Sequence, residues 1–184
     1  MPNLTLYTIT SILILDSSST RILAKYFRPP PSLSTTPQQR KFECGLHAKT
    51  KKQNSDVLLY ENHIVVYKQL LDTTIYVAGN CEENEVMLYN VVVCIKDTLE
   101  ILLKHSLDKR SMLENYDQVC LAVEETCDDG IILETEPTAV AARVSKPSMD
   151  TGVVKVELTE QGLMNAYQMA KEKLKEQIIK GGYM

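Results

Sequence analysis

Two cysteines and four acidic residues lie within ten positions of one another in the second half of the chain. Thiolates and carboxylates are common metal ligands, and a pair of carboxylates can divide the roles of general acid and general base. The cysteines are Cys120 and Cys127, and the acids are Glu124, Glu125, Asp128 and Asp129. Residues 119–135, VCLAVEETCDDGIILET, are therefore the first place to look for chemistry.

Helical periodicity offers a simpler interpretation of this segment. Apolar side chains recur there at helical spacing, which predicts one buried helix face. They are Leu113, Tyr116, Cys120, Val123 and Cys127. Ser111 and Glu114 have the S-x-x-E spacing of a capping box, and Gly130 stands where a helix ends in a left-handed residue. Both cysteines are thus predicted to be buried, reduced core residues.

The four acids then form the solvent-exposed face of the same helix. Acid–base chemistry would need two environments that separate the pKa values of the carboxylates, and the sequence pattern indicates none. Acids in the last turn of a helix face the negative end of its dipole, which costs about 0.3–1 kcal/mol each. A basic neighbour, from this chain or from a partner, would offset that cost.

The remaining residues do not form a pattern typical of catalysis or of metal binding. The five cysteines are odd in number and include no C-x-x-C pair, so neither a disulfide framework nor a zinc site is predicted. His47, His63 and His105 are far apart in sequence and are expected to be surface or capping residues. Phosphate-binding glycine loops, G-x-S-x-G and H-E-x-x-H are absent from the sequence. We predict no catalytic, cofactor-binding or metal-binding residues, and no cofactor.

Length and charge narrow the class of protein. A chain of 184 residues with 44% hydrophobic residues can bury one substantial core. Its net charge of −4 argues against nucleic-acid binding, which depends on a basic surface. The first residues, MPNLTLYTIT, do not have the pattern of a signal peptide, and no apolar run approaches the ~20 residues of a membrane span. We expect a cytoplasmic protein.

The first 80 residues predict an antiparallel sheet. Five runs of apolar and β-branched residues are joined by short polar connections, and these runs are residues 4–16, 21–27, 56–61, 63–70 and 73–79. Residues 4–16 are apolar on both parities, which predicts a central strand that is covered on both faces. RPPPSLSTTP (28–37) is predicted to be an irregular loop because proline lacks a donor, and a helix is predicted over 38–51. Residues 84–105 carry a helical stripe that predicts a buried helix.

The C-terminal part is predicted to be an appendage. Residues 147–158 have the composition of a linker between a domain of residues 1–146 and a helix within residues 159–184. Thr159 is a suitable helix N-cap, and Gly181–Gly182 can end the helix. The apolar stripe of this helix, a candidate partner-binding site, consists of Leu163, Tyr167, Leu174 and Ile178, with Ala170 between them. Docking on its own domain and binding to a membrane surface are the alternatives to partner binding.

Several blocks of sequence resemble one known family. They are VVYKQLLDTTIYVAG, ENEVML, DKRSML, ENYDQVCLAVEETCDDGIILETEP and, near the end, LTEQ and AKEKLKEQI. In this order they are similar to the zeta subunits of coatomer, which belong to the small-subunit family of adaptor complexes. The resemblance extends from about residue 4 to 180. Val65, Val66, Tyr67 and Lys68 also match the sigma chains of clathrin adaptors, but Ile75-Tyr76-Val77 follows two residues later than in those chains, which favours zeta.

The resemblance implies a fold and a function. The implied fold is α+β and longin-like, a five-stranded antiparallel sheet with helices on both faces. The implied function is that of a non-catalytic small subunit of the coatomer coat. In that family, zeta pairs with the trunk of the gamma subunit in retrograde Golgi-to-ER and intra-Golgi transport. It reaches the cytosolic face of Golgi membranes only through the complex. The alternatives are a sigma-type chain, of the kind that helps to bind acidic dileucine cargo signals, and another longin-type trafficking regulator.

Overall fold

The computed structural model describes residues 6–51, 55–104 and 106–145. Contacts within the chain define one compact unit of residues 1–146 and another of residues 147–184. The described residues belong to the first unit. The predicted linker and C-terminal helix, with Leu163, Tyr167, Leu174 and Ile178, lie outside the described residues.

The centre of the first unit is a five-stranded antiparallel sheet with the strand order β2-β1-β5-β4-β3. The strands are β1 (Ile9–Asp16), β2 (Arg21–Tyr26), β3 (Val57–Tyr60), β4 (His63–Gln69) and β5 (Thr73–Asn80). Consecutive strands are neighbours except β2 and β3, which lie at opposite edges of the sheet, and β1 lies between β2 and β5. The five predicted strands are confirmed.

Strand β1 is central and is buried on both faces, as its sequence predicts. Ile12, Leu13, Ile14 and Leu15 are all fully buried. Ile12 and Ile14 face one apolar cluster, and Leu13 and Leu15 face the other. The strand begins at Ile9 rather than within residues 4–8, of which residues 4 and 5 lie outside the described residues. Tyr7 makes only an isolated bridge to Ile131.

Helices cover both faces of the sheet, as predicted. They are α1 (Thr36–Thr50), α2 (Glu85–Leu102), α3 (Lys109–Glu114), α4 (Tyr116–Thr126) and α5 (Pro137–Val144). Phe42 and Leu46 of α1 pack in the cluster with Leu13, whereas α2 and α4 supply residues to the cluster with Ile12. Asn84 caps α2 by accepting a hydrogen bond from the Val86 N–H at 2.9 Å.

The prediction of an irregular loop at residues 28–37 is wrong in part. Pro31–Leu33 form a 3-10 turn, and α1 begins at Thr36 with a proline in its first turn. Proline is tolerated there because the N–H groups of the first helical turn have no intrahelical partner. Short helix α5 was not predicted either.

The predicted helix start at Ser111 is also wrong. Asp108 is the N-cap of α3, and its carboxylate accepts the Ser111 N–H at 2.9 Å. The helical conformation is interrupted at Asn115, which ends α3 and precedes α4. The two helices therefore do not share one continuous apolar stripe. Glu114 forms an ion pair with Arg110 instead of a capping box.

Gly130 has a positive φ of 82°, as predicted, but it is not a helix cap. Helix α4 ends at Thr126, and the chain then forms a two-stranded hairpin of β6 (Cys127–Asp128) and β7 (Ile131–Ile132). Asp129 also has a positive φ, of 46°. Two such residues form the tight turn that matches the twist of a two-residue hairpin, for which Asp-Gly is a favoured sequence.

Candidate partner-binding site

The acidic segment is bound to basic residues of this chain. Lys25 of β2 pairs with Glu124, and Arg28 pairs with Asp129 at 2.6 Å. Arg143 of α5 lies 3.7 Å from Glu125 and 3.1 Å from Glu134. Basic residues of this chain, and not of a partner, thus offset the unfavourable interaction of these acids with the C-terminal end of the helix dipole.

Only one of the two cysteines in that segment is a core residue. Cys127 is fully buried, and burial raises the pKa of its thiol to about 12. Cys120 is half-buried, so its predicted burial is wrong. The buried face of α4 consists of Val119, Ala122, Val123 and Thr126. Leu113 and Tyr116, predicted to share that face, are exposed because the break at Asn115 separates the two helices.

The histidines that the structure describes, His47 and His63, are buried, so the prediction that they lie at the surface is wrong. His47 Nδ1 lies 3.0 Å from the Tyr76 hydroxyl, and Nε2 lies 3.2 Å from the Ser17 carbonyl oxygen. His63 bonds through Nδ1 to the carbonyl oxygen of Glu61 at 2.8 Å. Both rings are therefore engaged in hydrogen bonds within the unit. His105 lies outside the described residues. No group of three or more possible metal ligands occurs in the part of the chain that the structure describes.

A buried ion pair that the sequence did not indicate connects β2 to α1. The Glu43 side chain is fully buried and accepts from Arg21 at 2.5 Å and from the Tyr26 hydroxyl at 3.0 Å. Burial, with the Glu43 carboxylate beside it, raises the pKa of Tyr26 well above its ordinary range. A second acid, Asp16, accepts from Lys109 at 2.7 Å. These groups hold elements together and are not open to a ligand.

The surface of the described unit contains cavities. One, of about 440 Å³, lies between the β4–β5 turn and α3 and is lined by Asp72, Lys109, Arg110, Leu113 and Glu114. Another, of about 340 Å³, lies at one end of the sheet. Its lining residues include Tyr7, Phe27, Arg28, His63 and Asp129, and the Arg28 guanidinium stacks on the Tyr7 ring. The lining of the cavity beside α3 thus combines one apolar side chain, Leu113, with two cations and two acids.

Exposed apolar side chains mark further candidate contacts. Leu71, in the β4–β5 turn, is 89% exposed, and Leu59 of edge strand β3 is 66% exposed. Large apolar residues in such positions indicate binding surfaces where they cluster. Among the described residues no helix is long and apolar enough to cross a membrane. The described unit therefore presents exposed apolar side chains that a partner can contact.

Comparison with known proteins identifies the family. Residues 8–151 match the family model of the clathrin adaptor complex small chain. The chain is 39% identical to coatomer subunit zeta of Saccharomyces cerevisiae, over 98% of this chain and 100% of that protein. It is 38% identical to coatomer subunit zeta-1 of Homo sapiens, over 95% of both chains.

A solved structure shares the fold. A chain in a homology model of the full-length AP-3 complex, in a stretched open conformation, has a TM-score of 0.59 to this chain at 16% identity. The match covers 90% of this chain and 98% of that one, which confirms the longin-like fold. The chain therefore belongs to the clathrin adaptor complex small chain family, together with the coatomer zeta subunits that it matches from end to end.

Proposed function

We propose that this chain is the non-catalytic small subunit of a coatomer-type vesicle coat and that it pairs with the trunk of the gamma subunit. The similarity to coatomer zeta over 98% of the chain carries this proposal. Retrograde Golgi-to-ER and intra-Golgi transport is the process in which it acts. It works in the cytoplasm and meets Golgi membranes only through the complex.

The chemistry of the described unit supports a binding role. Its buried carboxylates Glu43 and Asp16 pair with Arg21 and Lys109 of the same unit. The exposed surface instead carries large apolar side chains, such as those of Leu59 and Leu71. A partner that covered such side chains would remove apolar surface from water.

Affinity purification of the tagged full-length chain, read by mass spectrometry, tests the assembly to which it belongs. We expect the coatomer subunits, with gamma in stoichiometric yield. Recovery of clathrin-adaptor large chains would favour the sigma-type alternative. Recovery of neither would favour another longin-type regulator. A tagged unrelated small protein of similar size is the control for non-specific capture.

Co-expression with the gamma trunk tests the pairing itself. The isolated chain is expected to self-associate because its exposed apolar residues have no cover, and the trunk is expected to convert it to a defined complex. Analytical ultracentrifugation measures both states. A monodisperse monomer without affinity for the trunk would contradict the pairing.

The C-terminal stripe of Leu163, Tyr167, Leu174 and Ile178 remains a candidate partner-binding site under this proposal. A chain ending at Lys146 is expected to keep its melting midpoint within about 5 °C of the full chain and to assemble differently into the coat. A full-length Leu163→Glu, Leu174→Glu variant separates loss of the stripe from loss of the linker. A larger fall in the midpoint would place the helix in the core of the first unit.

A second candidate function is the binding of acidic dileucine cargo signals, as sigma chains do. The cavity beside α3 favours it, because Leu113 lies among the cations Lys109 and Arg110. Both cations already have acidic partners, Asp16 and Glu114, which an acidic peptide would have to displace. Titration of the gamma complex with an acidic dileucine peptide, against a dialanine peptide, tests this function. Equal affinity for both peptides would exclude it.

A further inference from the structure

Strand β3 presents backbone hydrogen-bonding groups at an open edge of the sheet. The Tyr67 N–H donates to the Asp56 carbonyl at 2.9 Å, so this pair is hydrogen-bonded, and the register then makes Leu58 and Tyr60 the next bonded positions. The N–H and C=O groups of Val57 and Leu59 consequently point away from β4. In the described part of the chain, no strand lies beyond β3.

The outward groups of Val57 and Leu59 differ in their partners. The Ser55 hydroxyl donates to the Val57 carbonyl at 2.5 Å, and the Val57 N–H is 3.2 Å from the same hydroxyl oxygen. The edge beside Leu59 has no such cover among the described residues. A second chain can therefore pair at Leu59 without breaking any bond of the sheet.

The side chains of β3 alternate in a way that suits strand addition. Leu58 and Tyr60 are buried in the cluster against α1, whereas Val57 and Leu59 are 37% and 66% exposed on the opposite face. The four residues of the strand, Val-Leu-Leu-Tyr, include no charge and no proline. Edge strands that remain uncovered normally carry such protection, because bare edges template further pairing.

We propose that β3 is a docking edge, to which an extended segment of the gamma subunit adds as a sixth strand paired at Leu59. Glu61 stands at the C-terminal end of β3, whereas Asp56 at the other end already pairs with Lys68 at 2.5 Å. The chemistry that fits is therefore a short run of alternating apolar residues with a lysine or arginine placed opposite Glu61. This inference rests on the proposed pairing with gamma and names the surface that makes it.

A second copy of this chain fits the edge less well. Antiparallel pairing of two β3 strands brings the acidic ends of both copies into one short interface. A strand of four residues also buries far less than the ~1,200 Å² of a stable specific interface, so the large partner must supply further contacts.

A proline substitution at Leu59 tests strand addition directly. The Leu59 N–H points outward, so proline removes the donor for the added strand without removing a bond to β4, and proline is tolerated at such edge positions. Leu59→Lys keeps the N–H and changes only the exposed side chain. Leu133→Lys, at a leucine that is 56% exposed and follows β7, is the matched control.

The full-length variants are each titrated against the gamma trunk, with melting midpoints as the check on folding. We expect Leu59→Pro and Leu59→Lys to weaken binding at least tenfold and Leu133→Lys to change it less than twofold. Hydrogen exchange, measured on the free wild-type chain and in the complex, should show the Leu59 amide protected only in the complex.

The outcomes separate this inference from the proposed function. Tight wild-type binding that a folded Leu59→Pro variant retains, or a Leu59 amide that still exchanges rapidly in the complex, would overturn strand addition and leave the gamma pairing intact. If Leu59→Pro does not fold, hydrogen exchange of the wild-type chain decides the question, because it needs no substitution. Absence of wild-type binding to the trunk would overturn both.

Discussion

The two edges of the sheet are built differently. Edge strand β2 carries Arg21 and Lys25, which reach the helices on opposite faces by pairing with Glu43 of α1 and Glu124 of α4. Its pairing with β1 also contains a bulge, between Ile14 and Leu15. Edge strand β3 has neither a charge nor a bulge in its ladder.

This difference indicates that residues of this chain protect the β2 edge from pairing with another strand, whereas the β3 edge is left open. Charges and bulges are the devices by which edge strands avoid pairing with other chains, and on β2 the charges also bind the layers together. On β3 the corresponding protection is absent, so the edge is suited to being covered by a partner.

The largest effect is expected from Arg21→Ala, which leaves the fully buried Glu43 carboxylate without its main partner. Loss of one member of a buried ion pair costs about 3 kcal/mol or more. Chemical denaturation measures the free energy of unfolding. The double variant Arg21→Met, Glu43→Leu is the control, because it removes both charges and should recover much of the loss. A loss below about 1 kcal/mol in Arg21→Ala would show that β2 does not depend on this pair.

Substitution of Gly130 is the next largest effect and probes the hairpin that closes over the end of β2. A Cβ at Gly130 would stand 2.5 Å from the Ile9 carbonyl oxygen and 3.3 Å from the Phe27 Cβ. Gly130→Val should therefore destabilise the unit by more than about 1 kcal/mol, measured by thermal unfolding.

Gly130→Asn distinguishes two causes of that loss of stability, the positive φ of residue 130 and the close approach of a Cβ to the Ile9 carbonyl oxygen. Asparagine tolerates a positive φ but still places a Cβ against the Ile9 carbonyl. We expect Gly130→Asn to destabilise the unit nearly as much as Gly130→Ala, which places the same Cβ without tolerating a positive φ. Full recovery with Asn would mean that backbone conformation, and not the close approach, requires glycine.

Asp16, in the turn that leads into β2, makes a smaller and pH-dependent contribution. Burial alone would raise the pKa of its carboxyl, but hydrogen bonds from Lys109 and from the N–H groups of Thr20 and Ser18 outweigh burial and lower the pKa below 3.8. Because the folded pKa is the lower one, the stabilisation is present above pH 3.8 and is lost as the pH falls through the folded value.

The test compares wild type with Asp16→Asn, which keeps the acceptor and removes the charge. The variant should be less stable by about 1 kcal/mol at pH 7, and the difference should shrink steadily below pH 4. Urea denaturation across this pH range measures it. A difference that stays constant down to pH 2 would contradict a role for the charge.

The smallest effect on stability is expected at β3. Leu59→Lys should change the free energy of unfolding by less than about 0.5 kcal/mol, because the side chain is exposed. It should nevertheless reduce self-association of the free chain, measured by sedimentation. The reciprocal variant Lys25→Val removes a charge from the other edge and should increase self-association. If the two variants shift self-association in the same direction, the contrast between the edges is wrong.

Local patterns predicted the sheet well because its strands are bounded by short polar turns. The two-sided burial of β1 was visible in its sequence, since Ile12 to Leu15 leave no polar face. The start of α3 was not predictable in this way. Asp108 and Ser111 are both good N-caps, and the choice depends on a distant contact, in which Asp72 accepts the Lys109 N–H at 2.9 Å.

The candidate surfaces were harder to predict than the fold. Exposure of Leu59 follows from the position of β3 at an edge, and strand order is a property of the whole sheet. The Asp129–Gly130 hairpin did have a local signal, the Asp-Gly pair, but the acidic run and the preceding helix obscured it. The ion pair of Arg21 with Glu43 joins elements 22 positions apart, which no local pattern contains.

The insertion of β1 between β2 and β5 has a consequence for synthesis of the chain. Strands β1 and β2 form a local hairpin, but the other edge of β1 pairs with β5, for example Ile12 with Val77. Such distant pairing is slow to form because the long intervening loop must first close. During translation, a strand that is apolar on both faces waits with one edge open until Asn80 has left the ribosome. This interval is the period when the nascent chain is most exposed to aggregation and has most need of a chaperone.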